Sequence, residues 1–321
     1  MGNYQLVITN DNWPLTLDHG RLTMRLLECA PNISEGRDQR KIASIGEEVK
    51  KHEGVKLLDV SSDRDHHRSV YSFIGEPKAV KDAAFSLAMK AIDLIDMRQH
   101  RGGHPRLGAV DVIPFVPIQG VTMGEAVQVA RQLGKELGEK GIPVFFYEEA
   151  ATRPERRELP SIRKGEYEGL MEKLNDPKWK PDEGPESFNP KSGATVVGAR
   201  FPLVAYNVNL KTGDLAIAKE IARKVRFKDG GLPYVRAMGI GLKERGMVQV
   251  SMNLTNYQET NIPKVYEFIK EEALKRGIEI EGSEIVGLIP LSVLEGIAQY
   301  YIKCPQFSIS QVIEQRILEF E

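Results

Sequence analysis

Apolar positions recur along this chain with two different periods, and the switches between them mark out its elements. After Thr122 the period is helical: Thr122 and Glu125 match a reciprocal capping box, and Ala126, Ala130, Leu133 and Leu137 fall on one face. Gly141 suits a left-handed helix terminus and Pro143 blocks continuation, so the run Val144-Phe145-Phe146-Tyr147 is expected as a buried strand. In the second half, Val204, Tyr206, Val208 and Leu210 alternate with Ala205, Asn207 and Asn209, the period of a half-buried strand. Asp214 then caps a helix that buries Ile217, Ala218, Ile221, Ala222 and Val225, and Asp229-Gly230-Gly231 turns into a strand at Val235–Leu242. Glu244-Arg245-Gly246 makes a hairpin with Met247–Leu254, Asn261 and Pro263 open a helix that Gly277 ends, and Ile278–Val286 is the last strand. The order is βαββαβ, a ferredoxin-like split βαβ unit.

The first half has the same rhythm. Strands are expected at Leu26–Cys29, Val55–Val60, Ser69–Ile74 and Ala109–Phe115, with a helix from about Asp38 to His52 between the first two. A second helix near Lys78–Met97 carries Ala84, Leu87, Ala88, Ala91, Ile92 and Ile95 on one stripe. The capped helix and strand of residues 122–147 extend this unit, so the fold class expected is α+β with two ferredoxin-like subdomains. Between the halves, Lys178–Gly198 is rich in Pro, Gly, Asp, Glu, Ser and Lys and lacks an apolar period. Composition reads it as a solvated linker. The divisions are then an extension over residues 1–25, subdomains over 26–200 and 201–303, and a tail over 304–321.

Composition narrows the class of function. With 321 residues and 41% of them apolar, the chain can bury ordinary cores. Its 44 basic and 45 acidic residues leave a formal charge of −1, so no overall pull toward nucleic acid or anionic membrane is expected, and a small polar ligand is the better guess. Two cysteines, Cys29 and Cys304, are too few for a disulfide framework and fit a reducing compartment. The opening MGNYQLVITNDNWPLTLDHG has neither a basic nor an apolar signal region, and no stretch is apolar enough to cross a bilayer, which predicts a cytoplasmic protein.

Candidate chemistry concentrates in three places. His104 lies in Arg101-Gly102-Gly103-His104-Pro105-Arg106, where the glycines permit close approach to a ligand, the arginines could hold carboxylates, and an imidazole titrating near neutrality could act as general acid or base. His66-His67-Arg68 follows Asp63, Arg64 and Asp65, but adjacent histidines entering a strand point to opposite faces and the spacing matches no zinc pattern, so no metal is expected. Pro31-Asn32-Ile33-Ser34-Glu35-Gly36-Arg37 is either a helix-entry turn capped by Ser34 or Asp38, or a ligand-binding turn at a strand end through Asn32 and Glu35. The glycine pairs at 193/198 and 239/241 lack the context of nucleotide loops, and neither a G-x-S-x-G elbow nor a C-x-x-C pair occurs.

Six segments taken together, ECAPNISEGR from Glu28, HRSVYSF from His67, LIDM from Leu94, GHPRLGAVDVIPF from Gly103, GEYE from Gly165 and GPESFNPKSGAT from Gly184, resemble the glutamate formimidoyltransferase (formiminotransferase) family, in its order. The resemblance runs from about Leu26 to Leu294 and is to the single-function form, without the cyclodeaminase half of the bifunctional enzyme. It implies transfer of a formimino group from N-formimino-L-glutamate to N5 of tetrahydrofolate as co-substrate, in histidine degradation and one-carbon metabolism. It also implies a homodimer and two subdomains with ligand between them. The family's catalytic histidine falls on His104. Its folate loop falls on Gly184, Pro185, Glu186, Ser187, Phe188, Asn189, Pro190, Lys191, Ser192 and Gly193, which replaces the linker reading. Because both substrates carry carboxylates, Arg68, Arg106 and Arg200 are expected as anion holders, beside Asn32 and Glu35 as substrate contacts. Departures from the family pattern are Ser61 for an acidic residue, His67 for Asn and Ser192 for Trp. The competing readings are a folate-binding protein without transfer and a transferase using another donor such as N-formylglutamate.

Overall fold

The computed structural model describes residues 15–18, 21–64, 66–242 and 245–318, and the chain divides after Arg200 into two compact units. Within the expected extension, β1 (Leu15–Asp18) and β2 (Arg21–Met24) pair antiparallel, and the rest of residues 1–24 lies outside the described residues, as does Glu244 of the expected hairpin turn.

In the first unit, β3 (Leu26–Cys29) and β4 (Asn32–Ile33) run in succession and precede α1 (Gln39–Lys50), β5 (Val55–Asp63), β6 (Arg68–Gly75), α2 (Pro77–Leu94) and β7 (Val110–Gln119). Strands β3 and β4 both pair with β6 on one side and β7 on the other, all antiparallel, and β5 pairs with β6. This is the ferredoxin-like order the patterning predicts. Helix α3 (Met123–Glu139) carries the capping box of Thr122 and Glu125 and leads to β8 (Val144–Glu148).

The expected linker is partly wrong. Its end forms β9 (Thr195–Ala199), wholly buried and parallel to both β7 and β8, which it separates in a seven-stranded sheet. A parallel strand covered on both faces has no polar alternation to reveal it, and five residues after a Pro/Gly-rich stretch are too short a signal on apolar content alone. Before β9 come two short helices, α4 (Leu159–Arg163) and α5 (Leu170–Lys173). The preceding segment is anchored by fully buried Arg156, which pairs with Asp182 at 2.7 Å, donates to the Lys178 and Lys180 carbonyls, and stacks between Phe145 and Trp179.

The sheet has two different faces. Ile33, Phe73, Val110, Ile113 and Phe115 join the core under α1, α2 and α3, whereas Val112, Phe145, Tyr147 and Val196 face the other way, against Ile162, Leu170 and Leu174. Val110 and Ile113 share a face because Asp111 is an extra residue: Asn32 pairs with Val112 and Ile33 with Val110, leaving Asp111 as a bulge.

The second unit contains β10 (Val204–Leu210), α6 (Leu215–Val225), β11 (Val235–Leu242), β12 (Met247–Leu254), α7 (Ile262–Leu274) and β13 (Ile280–Val286), in sheet order β11-β12-β10-β13. Asp214 and Asn261 cap their helices as expected. Val208, Val250 and Met252 face the helical core, and alternation places Asn207, Asn209 and Gln249 on the opposite face, where they hydrogen-bond with one another and with Glu284. Helices α8 (Leu291–Tyr301) and α9 (Ile313–Leu318) follow, the latter within the expected tail. No helix among the described residues is long and apolar enough to cross a membrane.

Gly193 locks the segment before β9 onto the start of β7. Its φ is +68°, and a Cβ there would lie 2.1 Å from the Leu107 carbonyl oxygen. Gly193→Ala is therefore expected to destabilise the unit by about 2 kcal/mol or more, lowering the melting temperature by roughly 4–8 °C. An unchanged calorimetric transition would contradict this close approach.

Candidate active site

The polar groups of the first unit gather where β4, β6 and β7 meet the loop carrying His104. A following proline such as Pro105 disfavours a helical backbone at His104. Arg68, at the start of β6, donates from one terminal nitrogen, Nη1, both to Asn32 Oδ1 at 3.0 Å and to His104 Nε2 at 2.7 Å. A guanidinium has no acceptor, so Nε2 must present its lone pair and the ring proton must sit on Nδ1, which donates to the Pro105 carbonyl at 2.7 Å. His104 is thus a neutral imidazole of defined tautomer.

Burial, then the charges of Arg68 and Arg163, push the His104 pKa down to about 4, against weaker opposition from Asp111 and the Pro105 bond. The expectation of titration near neutrality is corrected: two nearby guanidinium groups and partial desolvation disfavour the imidazolium. Arg68 is itself pushed down by burial and by Arg163.

A second tier supports this one. His67 adopts a left-handed backbone with φ +52°, accepts the Gly36 N–H at Nδ1, and stacks on His100 with centroids 4.4 Å apart. His100 donates from Nε2 to the His67 carbonyl, so its Nδ1 accepts from Arg106 Nε at 3.2 Å. Burial lowers the pKa of both imidazoles. His66 instead meets His104 edge-on at 6.0 Å. Among the described residues, no group of three His, Cys, Asp or Glu side chains is arranged to hold a metal ion.

Several expected ligand contacts have other partners. Glu35 is buried and accepts the Arg37 and Asp38 backbone N–H groups at the entry to α1, with Asp38 as the cap, so its carboxylate closes a helix entry. Arg106 is buried between His100 and the carboxylates of Glu166 and Glu168, the last gripped through both terminal nitrogens at 2.8 and 2.6 Å. It orders the loop rather than presenting a guanidinium to a ligand. Arg106, Glu166 and Glu168, with Arg101, Gly102 and Gly165, line a polar cleft of about 400 Å³ of which His104 is not a wall. Asn32 orients Arg68. Arg200 follows β9, where its N–H meets the Phe115 carbonyl and its charge acts on Glu28 and Tyr147. Its side chain hydrogen-bonds Tyr147, a ring that the charge of Arg163 also reaches.

The end of the segment Gly184–Gly193 is tied to the chain just beyond the His104 loop. Gly108 bridges to Gly193, Ala109 N donates to the Ser192 carbonyl at 2.8 Å, and Ala194 N donates to the Leu107 carbonyl at 3.1 Å. Asn189 Oδ1 receives the Lys191 and Ser192 N–H groups, Lys191 Nζ reaches the Asp93 carbonyl, and Tyr167 donates its hydroxyl to the Pro190 carbonyl at 2.6 Å while packing on Phe188. Gly184, Glu186, Ser187, Pro190 and Lys191 are exposed.

Two residues escaped the sequence reading. Asp111, only 1% exposed, accepts the Leu107 N–H at 2.9 Å and pairs with Arg163. Its signal was available, an aspartate inside the apolar run Val110–Phe115, whereas Arg163 ends a short helix with nothing in its neighbourhood to distinguish it.

Residues 26–200 match the N-terminal subdomain of the formiminotransferase domain, and residues 205–319 match the formiminotransferase domain. A glutamate formimidoyltransferase of Thermoplasma acidophilum is 47% identical over 297 residues, covering 92% of this chain and 98% of its own. One from Streptococcus pyogenes serotype M1 is 44% identical over 296 residues, covering 92% and 99%. The rat formimidoyltransferase-cyclodeaminase is 45% identical over 283 residues, covering 86% of this chain and 52% of its own.

The depressed pKa of His104 has a signed consequence. Between pH 6.5 and about 4 the unfolded chain binds the proton that the folded one refuses, so this residue's contribution to stability is present above that window and is lost as pH falls through it. Arg68→Gln is expected to raise the His104 pKa toward 6.5 in an NMR titration of the ring protons. A midpoint that stays near 4 would show that Arg68 does not set it.

Proposed function

This chain belongs to the formiminotransferase domain family, and we propose that it transfers the formimino group of N-formimino-L-glutamate to N5 of tetrahydrofolate, releasing L-glutamate and 5-formiminotetrahydrofolate. The observation that carries the reading is the neutral His104, its Nε2 lone pair held by Arg68, on a loop whose continuation at Leu107–Ala109 bonds the end of the Gly184–Gly193 segment.

In the reaction N5 attacks the amidine carbon, the new N–C bond forms, and the adduct must lose the N5 proton. His104 Nε2 accepts it. The bond to the glutamate nitrogen then breaks as the imidazolium returns that proton to the leaving nitrogen, so one proton crosses from N5 to glutamate through a single side chain. The base must first be released by Arg68, and the donor supplies the means, since its carboxylates compete for the guanidinium. A carboxylate on Arg68 also weakens the charge that holds His104 down, so the pKa rises once the donor is bound. Gly184–Gly193 would receive the folate, with Tyr167 and Phe188 holding it in shape. A cytoplasmic homodimer serving histidine degradation belongs to the same reading.

His104→Ala is expected to cut turnover by roughly 100-fold or more while leaving tetrahydrofolate binding largely intact, as for loss of a general acid and base. The assay is absorbance-monitored formation of formiminotetrahydrofolate from purified protein, run beside N-formylglutamate as donor. Near-normal turnover in the variant removes His104 from the chemistry, and transfer from the formyl donor alone overturns the reading. The acid limb of kcat/KM for the donor should fall near pH 4, where the free base is lost, with that of kcat at higher pH. Coincident limbs would show that the donor does not relieve the Arg68 charge.

A further inference from the structure

The cations around His104 outnumber what the protein uses. Arg68 donates from Nη1 to Asn32 and His104, but its Nε and Nη2 donate to no group among the described residues. Arg163 turns Nη2 and Nε toward Asp111, and its Nη1 likewise has no partner among the described residues. Two guanidinium groups thus share one buried carboxylate, Asp111, while the exposed Asp63 is the other acidic charge that acts on Arg68. Asp111 supplies the alignment: as a bulge it leaves the strand ladder, and one carboxylate both receives the Leu107 N–H, three residues from His104, and pairs with Arg163. The loop of His104 and the side chain of Arg163 are registered on the same anchor. Arg163 also stands close enough for its charge to act on both Arg68 and His104.

We propose that Arg68 and Arg163 form a two-guanidinium clamp for the α-carboxylate of the formimino donor, with Asp111 as the positioning residue that aims Arg163. This rests on the reaction proposed above. The chemistry selects which carboxylate binds there. In N-formimino-L-glutamate the α-carboxylate is attached to the carbon bearing the leaving nitrogen, whereas the γ-carboxylate lies two methylenes further away. A group that returns a proton to that nitrogen must work beside the α-carboxylate, so the cations flanking His104 meet the α group. Arg106, engaged by two glutamates, takes no part.

The test separates the two carboxylates. Donors are N-formimino-L-glutamate, N-formimino-4-aminobutyrate, which lacks only the α-carboxylate, and N-formimino-L-2-aminobutyrate, which lacks only the γ-carboxylate. Arg163→Gln is expected to lower kcat/KM at least about 10-fold for the two donors with an α-carboxylate, the scale of one charged hydrogen bond, and to leave the 4-aminobutyrate donor within roughly 3-fold. The ratio between donors does not depend on how much of the variant is folded, and Arg163→Lys should restore part of it. Equal loss for all three donors would mean that Arg163 only supports the fold and would overturn the clamp. Calorimetric binding of L-glutamate and 4-aminobutyrate decides the clamp without turnover: wild type should favour glutamate and Arg163→Gln should lose that preference. Absence of any such preference in wild type overturns the clamp, whereas preference without transfer from any donor overturns the reaction and leaves the clamp standing.

Discussion

The site depends on a hydrogen bond between a permanent cation and a neutral base. Arginine remains charged throughout the accessible pH range, so by donating to His104 Nε2 it fixes the tautomer, aims the ring, and makes protonation unfavourable. The surrounding structure maintains that contact. Asn32, in the two-residue strand β4, holds the same Arg68 nitrogen, Asp111 ties down the chain just beyond His104, and the His67–His100 stack carries the far side of the loop to Arg106 and its two glutamates. A base held this way is weak and stays deprotonated until it is released, and the acid it becomes after taking a proton is correspondingly strong. That combination suits a step in which the same proton must leave one nitrogen and reach another.

Most of the architecture could be read from residue pattern, and the failures have physical causes. The capping box at Thr122, the caps at Asp214 and Asn261, and the alternation of Val204–Leu210 are local signals that tertiary structure did not override. Strand β9 was hidden because its neighbours on both sides and both faces are protein, which removes the polar alternation that identifies a strand. In the site, His104 and the Gly184–Gly193 segment were singled out by a family resemblance alone, since glycine-rich loops are locally indistinguishable from solvated ones. The partners of Arg106 and Glu35 were not legible. A charged residue inside a motif looks the same whether it faces a substrate, a helix entry or two glutamates, and only the folded neighbourhood distinguishes them.

The two units use the same topology with different surfaces. Each sheet buries one face under its βα helices. On the other, the first unit carries the Arg68, Asn32 and Val112 side of β4, β6 and β7, and the second carries Asn207, Asn209 and Gln249 around Glu284. Rows of amides that satisfy one another cost little to bury and hold fixed orientations, which an apolar surface of the same area cannot do.

Strand β7 is one residue longer than its pairing with β4 requires, and the surplus is Asp111. Removing that residue would restore an unbroken ladder and put Val110 and its successors back in simple alternation, a change that sheet energetics alone would favour. The site therefore occupies a local optimum opposed to the one for the strand. What holds the surplus residue in place is therefore not the ladder but the Leu107 N–H and the Arg163 guanidinium, both of which would lose their acceptor with it.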